Sequence, residues 1–208
     1  MTVSALVVGS LAALEELLDD RELFPPWPGL DVVIVPTGAA FTSMVEASVA
    51  TSTPFETRGA RVEALMIADR SSNDEAHFVT RLRQADVVVL AEGSALHARS
   101  VWRASAVGDA LASARCLIAV GTTASVLGST MIDPRGGAPT TGLGYREGLV
   151  ITTSASSEQL TRTRTLLEDS LTLAVVGPTG AVIMQDSRWR SRGDVLVTRA
   201  DVVVSLES

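Results

Sequence analysis

Short, continuously apolar runs alternate with stretches of helical spacing along most of this chain. Ala5-Leu6-Val7-Val8 reads as a buried strand, and leucines at helical spacing follow from about Leu11 to Leu23, where Pro25, Pro26 and Pro28 end the helix. Asp31 to Val35 reads as the next strand, closed by the turn Pro36-Thr37-Gly38 and followed by a helix through Met44 to Ala50. Arg61 to Ile67 predicts a third strand, and Asp74 to Gln84 an amphipathic helix with Phe78, Val79 and Leu82 inward. Asp86 to Ala91 is the fourth strand, Leu96 to Ala114 a helix, and Cys116 to Val120 the fifth strand. Strands apolar at every position belong to parallel sheets covered on both faces, and strand–helix alternation points the same way.

The last third changes character. Leu173 to Val176, Ala181 to Met184, Val195 to Val197 and Val202 to Val204 are short strands separated by Gly-Pro-Thr-Gly, Ser-Arg and Arg-Ala-Asp turns, which reads as an antiparallel finish to the sheet. The expected fold is three-layer α/β/α with a mostly parallel central sheet. Neither an internal repeat nor a low-complexity linker interrupts the 208 residues, so a single domain over residues 1–208 is expected.

Composition narrows the chemistry. Aromatics make up only 4% of residues, so Val, Leu, Ala and Ile must build the core. Net charge is −7 without a strongly basic stretch, which argues against nucleic-acid binding. All 17 positive residues are arginine, a bias expected from genome composition rather than function. Cys116 is the only cysteine, so no internal disulfide forms; its apolar run reads as a small buried hydrophobe, with a reactive thiol as the competing reading. The N-terminus lacks a basic region before Glu15 and Glu16, and no apolar run approaches the ~18 residues of a membrane span. A cytoplasmic protein without signal peptide or membrane contact is expected. Nothing in the sequence calls for a metal or cofactor.

Sites in doubly wound sheets form at the carboxyl ends of the strands. Two loops stand there: Glu92-Gly93-Ser94 after the fourth strand, and Gly121-Thr122-Thr123-Ala124-Ser125 after the fifth. The second has the form of a nucleophile elbow, in which small residues two before and two after the nucleophile let the backbone fold back. Gly121 and Ser125 meet that need around Thr123. The same pattern also suits an ordinary strand-to-helix turn with Thr122 or Thr123 as cap.

These segments resemble the dipeptidase E and cyanophycinase family of serine peptidases, within the class I glutamine-amidotransferase-like fold. Val35-Pro36-Thr37-Gly38-Ala39 resembles the family's Pro-Thr-Ala turn, and Phe55-Glu56-Thr57-Arg58-Gly59 its Phe-x-x-Leu-Gly segment. Glu92-Gly93-Ser94 stands where the family has Gly-Gly-Asn, and Gly121-Thr122-Thr123-Ala124-Ser125-Val126 where it has Gly-x-Ser-Ala-Gly-Ala. Met131 to Gly137, Gly142-Leu143-Gly144, Trp189 and Gly193 continue the match in order, so the resemblance spans nearly the whole chain after the first helix.

The resemblance implies a catalytic serine at position 123 and a histidine at 153, where this chain has Thr123 and Thr153. Asp133 matches the acidic third member. The implied oxyanion donors are the backbone N–H groups near Gly93 and at Ala124, beside which Glu92 replaces a glycine and would oppose a developing negative charge. Losing the base of a triad costs on the order of 10⁶ in turnover. His77 falls mid-helix, away from the site. His97, near Ser94, is the one candidate for a relocated base, its competing reading being a surface or supporting role. Arg135, in a Gly-rich loop, is a candidate carboxylate clamp; Arg99, Arg162 and Arg164 are further cations near the site. The leading expectation is a catalytically degenerate relative binding a small acidic or peptide-like ligand or a protein partner. An active hydrolase using Thr123, and a structural subunit of a homo-oligomer, are the alternatives.

Overall fold

The computed structural model describes residues 3–73 and 75–206. Asp74, the expected start of the third helix, lies outside the described residues. The first half alternates as the hydrophobic pattern requires: β1 (Val3–Val8), α1 (Leu11–Leu17), β2 (Asp31–Val35), α2 (Met44–Glu56), β3 (Arg61–Ala64), α3 (Ala76–Gln84), β4 (Val87–Leu90), α4 (Ala95–Trp102), α5 (Ala106–Ala112) and β5 (Leu117–Val120). There follow β6 (Thr130–Ile132), β7 (Pro139–Thr141), β8 (Val150–Thr152), α6 (Ser157–Leu166), β9 (Thr172–Val176), β10 (Ala181–Gln185), β11 (Arg188–Arg192), β12 (Val195–Arg199) and β13 (Val202–Val203).

The main sheet has the order β11-β10-β1-β5-β4-β2-β3. Its five strands from β1 to β3 run parallel, and β10 and β11 add antiparallel at one edge. Because side chains alternate across a strand, each apolar strand feeds two cores. Val33, Val35, Val88 and Leu90 pack with Leu82, Trp102, Val107 and Leu111 of α3, α4 and α5. Val32, Ile34, Val87 and Val89 pack with Leu14, Phe24, Trp27 and Phe55 on the other face. The expected α/β/α layering and mostly parallel sheet follow from this division.

The antiparallel C-terminal strands divide between two sheets instead of finishing one. β10 and β11 join the main sheet, whereas β9 and β12 pair antiparallel in a second sheet of order β13-β12-β9-β8. β8 pairs parallel with β9 there, and β6 with β7 forms a separate ribbon. Strand β11 was hidden because Arg188-Trp189-Arg190-Ser191-Arg192 is polar, as an edge strand can be. Its hairpin turn, Asp186 and Ser187 with φ of 51° and 63°, uses two consecutive left-handed residues, the twist a two-residue hairpin needs.

Two expected helices are shorter. α1 ends at Leu17, yet Leu18, Leu23, Phe24 and Trp27 remain buried in an irregular connection, held by the Trp27 indole N–H donating to Leu18 O at 2.6 Å. Their helical spacing therefore reported burial and not helix. The Leu96–Ala114 stretch breaks at Arg103–Ser105, where Ala104 takes φ 49° and Ser105 caps α5 by accepting from Gly108 N–H. Gly108 packs against Trp102 O so closely that a Cβ would lie 2.1 Å from it, which brings α5 against the end of α4.

Cys116 is fully buried, and desolvation pushes its thiol up to about 12. In mildly alkaline buffer it should stay unreactive toward an aromatic disulfide reagent and react only after denaturant is added; stoichiometric labelling of the native protein would contradict this burial. No helix among the described residues is long and apolar enough to cross a membrane.

Candidate functional site

The chain leaves β2 toward one side to make β3 and returns across it to β4, so the order of connection reverses between β2 and β4. Such reversals open a crevice at the carboxyl ends of the strands. Here the crevice is filled by backbone. Gly38 after β2, Gly93 after β4 and Thr123 after β5 come together. A Cβ on Gly93 would lie 2.2 Å from the Gly38 carbonyl carbon, and one on Gly38 would lie 2.9 Å from Thr123 Oγ1. The Ser94 N–H donates to Gly38 O at 2.7 Å, tying the two loops directly.

Thr123 is fully buried in a 3-10 turn spanning Gly121–Val126. Its hydroxyl donates to Ala91 O at 2.8 Å and lies 3.4 Å from Gly93 O; no titratable side chain is among its partners. The positive φ of this turn, 58°, falls on Gly121 and not on Thr123, so the threonine avoids the left-handed region that a β-branched residue tolerates poorly. A Cβ at 121 would also lie 2.5 Å from the Glu92 carboxyl carbon, so a larger residue there would displace that side chain. Ala124, the expected second oxyanion donor, is also fully buried. The neighbouring Thr122 hydroxyl donates to Gly93 O at 2.5 Å, a further stitch between the loops.

The remaining expected site residues separate into other roles. Ser94 caps α4, accepting from His97 N–H at 3.2 Å. The His97 ring stacks against Phe41 with centroids 4.5 Å apart. Its Nε2 lies 2.8 Å from Ala68 O; a carbonyl only accepts, so this nitrogen carries the proton and is not a free base. Asp133 Oδ1 accepts from Arg135 N–H at 2.8 Å and faces Arg135 Nε at 3.4 Å. Arg135, 78% exposed, thus closes its own loop onto Asp133.

Thr153 lines a cavity of about 20 Å³ with Thr122, Ser125, Asp133 and Thr152, a lining that does not include Thr123. The Thr153 Oγ1 is buried and unpartnered among the described residues. That volume holds roughly one water molecule, not an amino-acid side chain. The elbow pattern put the emphasis on residue 123 and so passed over Thr122, Ser125 and Thr152 as lining residues; that neighbouring side chains of a 3-10 turn point about 120° apart was the available signal. No group of acids, histidine and cysteine suited to a metal occurs among the described residues.

No family model and no curated protein sequence matches this chain. Solved structures do. A peptidase from an acI-B1 Actinobacterium superposes with a TM-score of 0.73 at 16% identity, over 98% of this chain and 97% of its own. A protein from Listeria monocytogenes EGD-e, provisionally assigned as peptidase E, gives a TM-score of 0.66 at 13% identity, over 96% and 99%. At these identities the likeness shows a peptidase E-like fold across nearly the whole chain.

Proposed function

We propose that this chain is a hydrolytically inactive relative of the dipeptidase E and cyanophycinase peptidases, in which the class I glutamine-amidotransferase-like scaffold serves to bind a peptide or protein partner. The carrying observation is the Thr123 hydroxyl: buried, unstrained, and committed to the Ala91 carbonyl at 2.8 Å. A nucleophile needs a proton acceptor within hydrogen-bond reach and a path for substrate. Among the described residues Thr123 is fully buried and bonded only to backbone, and the cavity beside Thr153 is too small for a substrate side chain. The same smallness disfavours a small acidic ligand at this centre.

A partner-binding role draws support from the adjoining surface. Phe41 is 77% exposed, and Val45 and Val49, one turn apart on α2, are each 62% exposed. Met66 flanks the helix, its sulfur 3.8 Å from the Ser48 hydroxyl. Apolar side chains gathered at one surface mark interaction sites more often than chance exposure does. Phe41 also contacts His97, so this face abuts the first turn of α4.

The purified protein should release no product from aspartyl dipeptides, cyanophycin-like polymers or activated esters above the buffer rate. Thr123→Ser combined with Thr153→His should leave it inactive, because residue 123 is buried against the Ala91 carbonyl and does not line the cavity at Thr153. Turnover by the parent protein that disappears in Thr123→Ala would overturn the inactive assignment.

A further inference from the structure

We infer that a cavity at the N-terminal ends of β8 and β9 is a binding site for a small organic anion with a flat apolar body: a planar ring system carrying a carboxylate or a phosphate. The cavity has a volume of about 370 Å³, within the ~300–1,000 Å³ of small-molecule sites. It lies at the opposite end of β8 from Thr152 and Thr153, and it owes nothing to the loops after β4 and β5.

Its chemistry is consistent on each side. Arg188, at the start of β11, and Arg199, at the end of β12, supply two guanidinium groups, and among the described residues no acidic side chain lines the pocket. In a chain of net charge −7, two arginines on one pocket wall are a local concentration of positive charge. Arg199 is positioned by its Nε–H, which donates to Thr172 Oγ1 at 2.8 Å across the β9–β12 pair and leaves the outer nitrogens for an oxyanion. Arg188 is exposed and enters no ion pair among the described residues.

The flat body has a matching wall. The Trp189 indole N–H donates to Glu147 O at 2.8 Å, which fixes the ring. Gly148 follows in a left-handed conformation (φ 96°), its backbone so close that a Cβ would lie 3.3 Å from the indole nitrogen. A side chain at 148 would therefore be strained and would crowd the ring. Leu149 and Leu206 add apolar lining. A fixed aromatic wall beside two guanidiniums selects a ligand that is planar and anionic at once, because either feature alone leaves half of the lining unused. This inference does not rest on the inactivity of Thr123.

The test uses the full chain and the fluorescence of Trp189. Trp27 and Trp102 are buried at 1% and 0% exposure, so Trp189 is the tryptophan a ligand can reach. Adenosine 5′-monophosphate and 1-naphthoate are the two probes, with inorganic phosphate and naphthalene as controls for charge and ring alone. Saturable quenching by one or both aromatic anions is expected, tightest for whichever of phosphate or carboxylate the arginines prefer. Arg188→Gln and Arg199→Gln should each weaken it about tenfold, the loss of one charge-assisted contact, at unchanged melting temperature, and Trp189→Phe should abolish the signal. Calorimetric titration of Trp189→Phe checks that binding itself is weakened. Absence of saturable binding, equal affinity for inorganic phosphate or naphthalene alone, or indifference to both arginine replacements would overturn the assignment.

Discussion

Gly93→Ala should lower the melting temperature by about 10 °C. The Cβ would sit 2.2 Å from the Gly38 carbonyl carbon, 2.4 Å from its oxygen and 2.6 Å from Ala39 N, all backbone atoms. No rotamer change relieves such a contact; one of the two loops must move. Moving either breaks the Ser94 N–H to Gly38 O hydrogen bond and disturbs the acceptors of Thr122 and Thr123. Overpacking costs typically ~1–3 kcal/mol and more where backbone has to shift. About 3 kcal/mol, at ~2–4 °C per kcal/mol for a chain of this size, gives the expected drop. Thermal denaturation followed by circular dichroism measures it. A variant melting within a degree or two of the parent would show that the loops are not in contact, and with that the closed state of the candidate site would fall.

Trp102→Ala should be at least as damaging, at about 3–5 kcal/mol. Trp102 is fully buried at the end of α4, and its indole N–H donates to Thr37 Oγ1 at 3.2 Å. Thr37 in turn donates to Ile67 O at 2.7 Å. One side chain thereby joins α4, the turn after β2 and the segment after β3. Trp102→Phe separates packing from hydrogen bonding: it keeps most of the buried ring and loses only the N–H, for a cost of about 1–2 kcal/mol. Denaturant titration of both variants should order them parent, Trp102→Phe, Trp102→Ala. If Phe and Ala proved equally destabilising, the hydrogen-bond chain rather than the filled volume would be the main contribution.

The parallel half of the fold was legible residue by residue. Val32 to Val35, Val87 to Leu90 and Leu117 to Val120 are apolar on both faces, and only a sheet covered on both sides by helices buries both. The positions of the Glu92-Gly93-Ser94 and Gly121 to Ser125 loops followed from strand ends alone. What failed was helix read at Leu18 to Leu23, where burial of Leu18 and Leu23 in an irregular connection gives the same spacing, and across Arg103 to Ser105, a largely exposed break where Ala104 takes φ 49°. Strand β11 escaped because an edge strand lined with arginine carries no apolar alternation.

Sequence by itself determined which residues lie deep and which loops gather at the carboxyl edge, because burial and the ends of parallel strands are written in local periodicity and strand–helix alternation. Only the tertiary structure decided what those loops do. Whether Thr123 faces a substrate or the Ala91 carbonyl depends on a fraction of a turn in the 3-10 segment. Likewise, whether Gly38 and Gly93 leave a crevice or close it depends on backbone separations of a few ångströms across sequence distances of dozens of residues. The pocket around Trp189 joins Leu149, Thr172 and Arg199, and it exists only because β11 and β12 enter different sheets. No local pattern encodes that divergence, since it is set by which edge each hairpin finds unpaired.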